Sequence, residues 1–349
     1  MSPTTQSTPV RADRSEKPIL EVEDLHVSFR TRGTDVHAVN GIDLTVHSGE
    51  TLAILGESGS GKSASAQAIM GIIDTPPGFV TGGSVRFHGA DLLGLAEHER
   101  RAVRGPGIAM VFQDALAALN PVHTVGAQIA EMFRAHLRTP RKDALERAVE
   151  LLDRVGIPDP ARRARTYPHQ FSGGMRQRVM VAMAIALDPD VLIADEPTTA
   201  LDVTVQAQIM ELLSEIQDDT GMGLLLITHD LGVVNETADR VAVMYAGRIV
   251  EQGRTADVLT RPAHPYTAGL MESVPRAERV ADRLHPITGA PPNLAAIPAG
   301  CAFHPRCPVA RLEPTDESEA ICTTEHPALQ LIDGNRSAAC HYSAEVRRA

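Results

Sequence analysis

The chain lacks tryptophan, and aromatic residues account for only 3% of its 349 positions. It also lacks a long apolar run, because the longest, residues 179–187, has 9 residues where a membrane-spanning helix needs about 18 to 20. We therefore expect any membrane role to depend on a partner. Residues 1–17 are rich in Ser, Thr, Pro and charge and lack the apolar core of a signal peptide, which predicts a disordered tail on a cytoplasmic protein.

Basic residues are the minority charge, since 33 Lys and Arg against 44 Asp and Glu give a net charge of -11. Such a surface suits nucleic acid and anionic lipid poorly, so we expect no nucleic-acid partner. With 43% hydrophobic residues the chain can bury a large core, and its length favours one large domain with a smaller appendage.

A phosphate-binding loop is the strongest motif. The apolar run 52–55 leads into the pattern G-x-x-x-x-G-K-[ST], in the order of strand, loop and helix that a P-loop requires. The glycines let backbone N–H groups point inward, and the next helix turns its positive end to the same place. Lys62 is expected to reach the β- and γ-phosphates, and the Ser63 hydroxyl to hold Mg²⁺. The loop consists of Gly56, Glu57, Ser58, Gly59, Ser60, Gly61, Lys62 and Ser63.

Alternation of apolar and polar residues at 25–29 and 42–46 predicts two half-buried strands before this loop. Phe29 lies where an aromatic ring could stack on a nucleotide base, but we interpret it as a core residue, which is the commoner role of a strand phenylalanine.

After Gln113, at the end of a buried strand, the apolar spacing becomes helical up to about residue 187. This predicts a helical insertion at about 114–187 in an α/β core, with Gln113 at its entrance. Taken alone, Gln113 is better explained as an ordinary polar residue at a strand end. One helical face is predicted to carry Leu145, Val149, Leu152 and Val155.

Three further segments carry polar groups that suit a nucleotide site. Ser172, Gly173 and Gly174 open an apolar helix, where a Ser cap and two glycines would admit an anion. Taken alone, this segment is better explained as a glycine-rich cap on a buried helix. The buried strand 191–194 ends in Asp195 and Glu196, and carboxylates there face the ligand crevice of an α/β sheet. Asp195 is expected to hold Mg²⁺ and Glu196 to accept a proton from attacking water. Another buried strand ends in His229.

Together, these motifs resemble the ATPase subunit of an ATP-binding cassette transporter, from about Ile19 to Gly253. The resemblance implies an α/β fold: a P-loop NTPase core with an antiparallel β subdomain, a helical insertion and a small C-terminal cysteine-containing extension. It implies the boundaries 18–260 for the ATPase domain and 261–349 for the extension.

The same resemblance implies ATP and Mg²⁺ as cofactors and a head-to-tail dimer with a second, identical or paralogous ATPase. The motifs 56–63, Gln113, Asp195, Glu196 and His229 of one chain would then face Ser172, Gly173 and Gly174 of the other. Gln113 would sense the γ-phosphate or the metal, and Glu196, His229 and Gln113 would be catalytic. Implied partners are two integral membrane permease subunits and, indirectly, an extracytoplasmic substrate-binding protein. The chain would lie peripherally on the cytoplasmic face of the cell membrane.

A narrower resemblance comes from the segments 119–121, 167–169, 264–267, 289–292 and 300–307, which look like dipeptide and oligopeptide importer ATPases, whose relatives also serve nickel uptake. The function implied is ATP hydrolysis that powers peptide import, with nickel or another small solute as the alternative. The sequence departs from this family after Gln113, where Pro and Ser are usual, and in the wide gap between its second and third cysteines.

Other ATPases with these motifs fit less well. DNA-repair and chromosome-organising ATPases need long coiled coils between the P-loop and the signature segment, which is Ser172 to Gly174 in this chain. The short spacing from Lys62 to Ser172 excludes them. Translation-acting relatives carry two cassettes, whereas each motif occurs once here. An iron-sulfur scaffold protein that also hydrolyses ATP would rest on the cysteines alone.

The four cysteines, Cys301, Cys307, Cys322 and Cys340, all lie near the end of the chain with the spacing C-x5-C-x14-C-x17-C. Disulfides are not expected in a cytoplasmic protein, and four thiolates suit tetrahedral zinc or an iron-sulfur cluster. Buried thiols without metal are the alternative. The resemblance to peptide importers favours a 4Fe-4S cluster over Zn²⁺, in a structural role that replaces a core in this small Pro-rich segment.

Overall fold

A computed structural model describes residues 17–31, 33–199, 201–273, 287–309 and 321–347. The predicted tail therefore lies outside the described residues, except for Lys17. Within the described ranges, no helix combines the length and apolarity needed to cross a bilayer.

The described residues form two sheets, and the smaller one is antiparallel, with the strand order β2-β1-β4-β5. Its strands are β1 (Leu20–Thr31), β2 (Thr34–Val46), β4 (Gly78–Phe87) and β5 (Ala90–Asp91). One face is buried, as the alternating sequence predicts, and Phe29 packs in that core beside Gly78. The two predicted strands and the antiparallel subdomain are confirmed.

Within the part of the chain that the structure describes, the main sheet has eight strands in the order β11-β12-β10-β9-β3-β8-β7-β6. The five strands β6, β7, β8, β3 and β9 run parallel. Strands β3, β7 and β8 are buried along their whole length, because helices cover one face and the antiparallel sheet with the helix that follows β3 covers the other. The strands are β3 (Thr51–Leu55), β6 (Ile108–Val111), β7 (Val191–Asp195), β8 (Gly223–Thr228), β9 (Arg240–Tyr245), β10 (Arg248–Arg254), β11 (Gln330–Asp333) and β12 (Arg336–Ala338).

Helices pack around this sheet. They are α1 (Lys62–Met70), α2 (Glu97–Val103), α3 (Ala115–Ala118), α4 (Val125–Leu137), α5 (Arg141–Arg154), α6 (Pro160–Arg163), α7 (Gly173–Ile185), α8 (Val203–Thr220), α9 (Leu231–Thr237), α10 (Thr255–Thr260), α11 (Pro265–Glu272) and α12 (Ser343–Val346). Short 3₁₀ helices cover Pro168–Gln170 and His304–Arg306. The helices α3 to α7 all lie between β6 and β7 in the chain, so helical structure is inserted into the α/β core.

The buried face of α5 differs from the predicted one. Leu152 and Val155 are fully buried as expected, but Leu145 is 37% exposed, and Ala144 and Ala148 pack inward in its place. Alanines at this spacing let α5 approach α4 and α7 closely. Leu145 follows Ala144 by one residue, so its side chain points about 100° around the helix from that of Ala144.

The C-terminal extension shares its core with the main sheet. Tyr266, Phe303 and Cys307 pack in one cluster with Leu55 and Val243 of the central strands. The strand β12 pairs antiparallel with β10, so the extension also lengthens the sheet. The expectation that a metal must replace the core of this segment is therefore wrong for the part that packs here, because the sheet supplies a core.

Candidate nucleotide site

The loop between β3 and α1 adopts a curled conformation that glycine makes possible. Gly59 and Gly61 have φ values of 79° and 108°, in the left-handed region that other residues avoid. A Cβ added at Gly61 would collide with the Ala38 carbonyl oxygen, and one at Gly56 with the Met244 carbonyl oxygen. The fold thus presses the loop from two sides, and only glycine fits at both contacts.

Lys62 and Ser63 begin α1 and point their side chains into the cleft over this loop. The Lys62 ammonium donates to the carbonyl oxygens of Gly56 and Glu57 at 2.8 and 3.0 Å. Burial lowers the pKa of Lys62, against the opposing effect of the nearby Glu196 and Asp195. An anionic phosphate would compensate this buried cation, as the sequence predicts.

Asp195 accepts a hydrogen bond from the Ser63 hydroxyl at 3.0 Å, although the two residues are 132 positions apart in the chain. Burial raises the pKa of Asp195, since a carboxylate loses hydration at the end of β7. A hydroxyl and a carboxylate beside a phosphate cradle are the oxygen ligands that Mg²⁺ prefers. These residues would hold the metal of a bound Mg·ATP.

Glu196 is the residue on which the other polar groups converge. Its carboxylate accepts from Gln113 Nε2 at 3.0 Å and from Thr199 Oγ1 at 2.8 Å. The Lys62 ammonium lies 3.9 Å away and His229 Nδ1 lies 3.4 Å away. The backbone of Glu196 has a φ of 45°, an uncommon conformation for a glutamate and one often found at functional sites.

These residues surround one cleft of about 730 Å³. It is lined by Ala38, Leu55, Gly56, Glu57, Ser58, Gly59, Gly61, Lys62, Ser63, Ala64, Gln113, Glu196, His229, Leu270 and Leu294. Most residues predicted for the nucleotide site of this chain are among them. Asp195 lies behind Ser63, and Ser60, which belongs to the loop, is buried. The sequence reasoning missed Ala38, Thr199 and the extension residues Leu270 and Leu294, because nothing in their local sequence distinguishes them.

The signature segment lies elsewhere on the surface. Ser172 caps α7, its hydroxyl accepting from the Met175 N–H at 3.3 Å, as predicted for an N-cap. Ser172 and Gly173 are exposed, and Gly174 is half-buried against Val205. Among the described residues that line the cleft, none comes from this segment.

The four cysteines are near one another, and none forms a disulfide. The Cys301 N–H donates to the Cys322 carbonyl at 2.8 Å, and Gly300 leaves room for this approach. Burial, reinforced by the neighbouring thiols, raises the pKa of Cys301 to about 11 and of Cys340 to about 12. Within the described ranges, however, no three His, Cys, Asp or Glu side chains have the arrangement of a metal site.

Comparison with known protein families gives a match in each of two parts of the chain. Residues 39–199 match the family described as ABC transporter, and residues 250–313 match the C-terminal region of oligopeptide/dipeptide transporters. The dipeptide transport ATP-binding protein DppD of Bacillus subtilis is 52% identical over 290 residues, which cover 83% of this chain and 87% of DppD. The chain belongs to the ABC transporter ATPase family.

Other relatives agree with this family membership. The oligopeptide transport ATP-binding protein OppD of Mycobacterium tuberculosis is 54% identical over 325 residues, which cover 93% of this chain and 52% of OppD. Among solved structures, the ABC transporter cassette MJ0796, described as a dimer bound to ADP and Pi, superposes with a TM-score of 0.61 and 28% identity. That match covers 68% of this ABC ATPase and 98% of MJ0796. CbiO1 of Clostridium perfringens superposes with a TM-score of 0.59 and 30% identity, covering 70% of this chain and 92% of CbiO1.

Proposed function

We propose that this ABC ATPase hydrolyses ATP to power the import of dipeptides or oligopeptides through a membrane permease complex. The observation that carries the enzymatic part is the convergence of Lys62, Gln113 and His229 on the carboxylate of Glu196. The peptide part is supported by the oligopeptide/dipeptide C-terminal region and by relatives named DppD and OppD. In this proposal residues 18–260 form the ATPase domain and 261–349 the extension.

The polar residues of the cleft, together with Asp195 behind Ser63, have roles in this reaction. The N–H groups of the P-loop and the Lys62 ammonium bind the β- and γ-phosphates, and Ser63 with Asp195 holds Mg²⁺. Glu196 accepts the proton of the attacking water, because its carboxylate lines the cleft within 4 Å of Lys62 and His229. Gln113 and His229 orient that carboxylate.

The signature segment is proposed to act on the nucleotide of a second ABC ATPase in a head-to-tail dimer. Ser172 and Gly173 are exposed and do not line the cleft of their own chain. They lie at the start of a helix of 13 residues, and the positive end of that helix suits an anion. The dimer described for MJ0796 supports such an arrangement.

Permease binding is assigned to the helical insertion. Leu116 and Val122 are 56% and 73% exposed, although both are large and apolar. Tyr167 lies on an adjacent loop. The Val125 N–H at the start of α4 donates a hydrogen bond to the Thr166 carbonyl of this loop at 2.9 Å. Two integral membrane permease subunits would cover such surfaces on the two ATPases, at the cytoplasmic face of the cell membrane, with a substrate-binding protein outside.

The cysteines are proposed to hold a 4Fe-4S cluster, with Zn²⁺ as the alternative. Four thiols within electrostatic range of one another suit either group, although their side chains would have to turn to bind it. Anaerobically purified protein is expected to contain iron and acid-labile sulfide in equal amounts. Colourless protein with stoichiometric zinc would favour the alternative, and protein without metal would contradict both.

Uptake of labelled di- and oligopeptides by cells with and without this chain tests the transport function. Loss of uptake on deletion, restored by the wild-type gene and not by one encoding Glu196→Gln, is expected. Unchanged peptide uptake together with lost uptake of nickel would instead support the small-solute alternative of this family.

A further inference from the structure

The P-loop is held by the C-terminal extension of its own chain. Arg306 lies in the 3₁₀ helix between Cys301 and Cys307 and is only 7% exposed. Its two terminal nitrogens donate to the two carboxylate oxygens of Glu57 at 2.7 and 3.0 Å. Such a two-pronged, charge-assisted pair fixes orientation as well as distance.

A second contact from the extension reaches the backbone of the same residue. The Glu57 N–H donates to the Tyr266 hydroxyl oxygen at 2.9 Å. Tyr266 is 0% exposed, and its ring packs against Phe303 and Tyr245 at centroid distances of 5.5 and 4.6 Å. Both groups that grip Glu57 are therefore anchored in one aromatic cluster.

Glu57 in turn shapes the part of the loop that holds the lysine. Its carbonyl oxygen accepts from the Lys62 ammonium at 3.0 Å and from the Ser60 N–H at 3.2 Å. A shift of Glu57 would thus move the first turn of the loop and a contact of Lys62. Leu270 and Leu294 of the extension line the same cleft, so the extension is a wall of the site as well as its support.

We propose that Arg306 and Tyr266 are positioning residues for the P-loop, through which the C-terminal extension sets the affinity of the chain for Mg·ATP. This rests on the proposed function, since it assumes that the loop binds ATP. Preorganisation is the physical reason: a loop already held in its binding conformation loses less conformational freedom when phosphate binds.

The molecule contains a matched control. Arg336 also ties the extension to the rest of the chain by a buried pair, with Glu251 at 2.7 Å, and it is 2% exposed. That pair lies at the β10 and β12 seam, and neither residue lines the cleft. A role in stability alone would make the Arg306 and Arg336 pairs equivalent, whereas positioning of the loop distinguishes them.

The experiment measures the Kd for Mg·ATP and the melting temperature of the full chain for wild type, Arg306→Met, Arg306→Lys, Tyr266→Phe and Arg336→Met. Arg306→Met is expected to raise Kd about tenfold, and Tyr266→Phe, which removes one hydroxyl, about threefold. Arg306→Lys should fall between wild type and Met, because it keeps the charge but loses the fork. Arg336→Met should lower the melting temperature and leave Kd within about twofold.

A double-mutant cycle with Glu57→Gln completes the test. Because Arg306 acts through Glu57, the double variant is expected to bind ATP about as well as the weaker single variant. Equal Kd values for wild type, Arg306→Lys and Tyr266→Phe would overturn the proposal, as would an equal rise in Kd for Arg336→Met. Absence of ATP binding by folded wild-type protein would instead overturn the proposed function, so the two failures are distinguishable.

Discussion

Two carboxylates at opposite sides of the main sheet are held in contrasting ways. Glu251, on β10, accepts from Arg336 at 2.7 Å and from the N–H groups of Ala263 and His264 at 2.9 Å each. Glu196 accepts from two neutral side chains, and its nearest lysine nitrogen is 3.9 Å away. The tightly bound carboxylate fastens the extension, while the loosely bound one is the proposed general base.

The largest effect is expected from a substitution of Glu196, the loosely bound carboxylate. Glu196→Gln should lower the rate of ATP hydrolysis by about 10²- to 10⁴-fold, because the amide does not accept the proton of the attacking water. Binding of ATP should persist, since Lys62 and the loop are unchanged. Steady-state hydrolysis in the assembled complex and nucleotide binding measure the two quantities, with the exposed Glu215→Gln as a control. Hydrolysis near the wild-type rate would show that another group is the base.

Removal of the arginine that binds Glu251, the tightly bound carboxylate, should lower stability instead. Arg336→Met leaves Glu251 buried without its cationic partner, which should lower the free energy of unfolding by about 3 to 5 kcal/mol. Denaturant unfolding with the extension's Arg347→Met as control measures this, since the exposed Arg347 pair with Asp333 contributes less than about 1 kcal/mol. Equal losses for the two variants would mean that Arg336 is no anchor.

A substitution in the exposed signature segment should remove activity without altering Glu196 or Glu251, which sharpens the comparison. Gly173→Asp should lower hydrolysis about 10²-fold by placing negative charge against a nucleotide bound to the partner chain. The side chain has room, because an added Cβ would meet Leu201 at 3.5 Å, an ordinary contact distance. ATP affinity of the isolated monomer should stay within about twofold, and Gly173→Ala should lose less activity. A large loss of monomer affinity would place the signature in the same-chain site.

The smallest effect at neutral pH concerns the extension seam, where His264 alters stability only in acid. His264 is buried, its Nδ1 accepts from the Tyr266 N–H at 3.0 Å, and burial lowers its pKa from 6.5 to about 3. The unfolded chain therefore binds a proton that the folded chain does not, so stability is lost as pH falls from about 6.5 towards 3, by at most about 1.4 kcal/mol per pH unit. His264→Asn keeps the helix cap and should flatten the dependence of melting temperature on pH. An unchanged dependence would assign it to other groups.

Local sequence was sufficient for much of the fold and for the P-loop. The buried runs that became β3, β7 and β8 were recognisable from their continuous apolar character, and the polar residues after them, Glu196 and His229, were expected at one edge. The error at Leu145 arose because apolar spacing gives the helix face only to within one residue, and alanines at a close helix contact carry little signal.

By itself, the sequence determined the chemistry available: a glycine-rich loop with a lysine, carboxylates after buried strands and a capped signature helix, all of which depend on residues close in the chain. Only the tertiary structure decided that the extension adds β12 to the main sheet and grips the P-loop. Arg306 and Glu57 are 249 positions apart, and neither residue's neighbours indicate the other. Such a pairing is fixed by how the aromatic cluster packs on the sheet, because burial brings distant charges together that no local pattern relates.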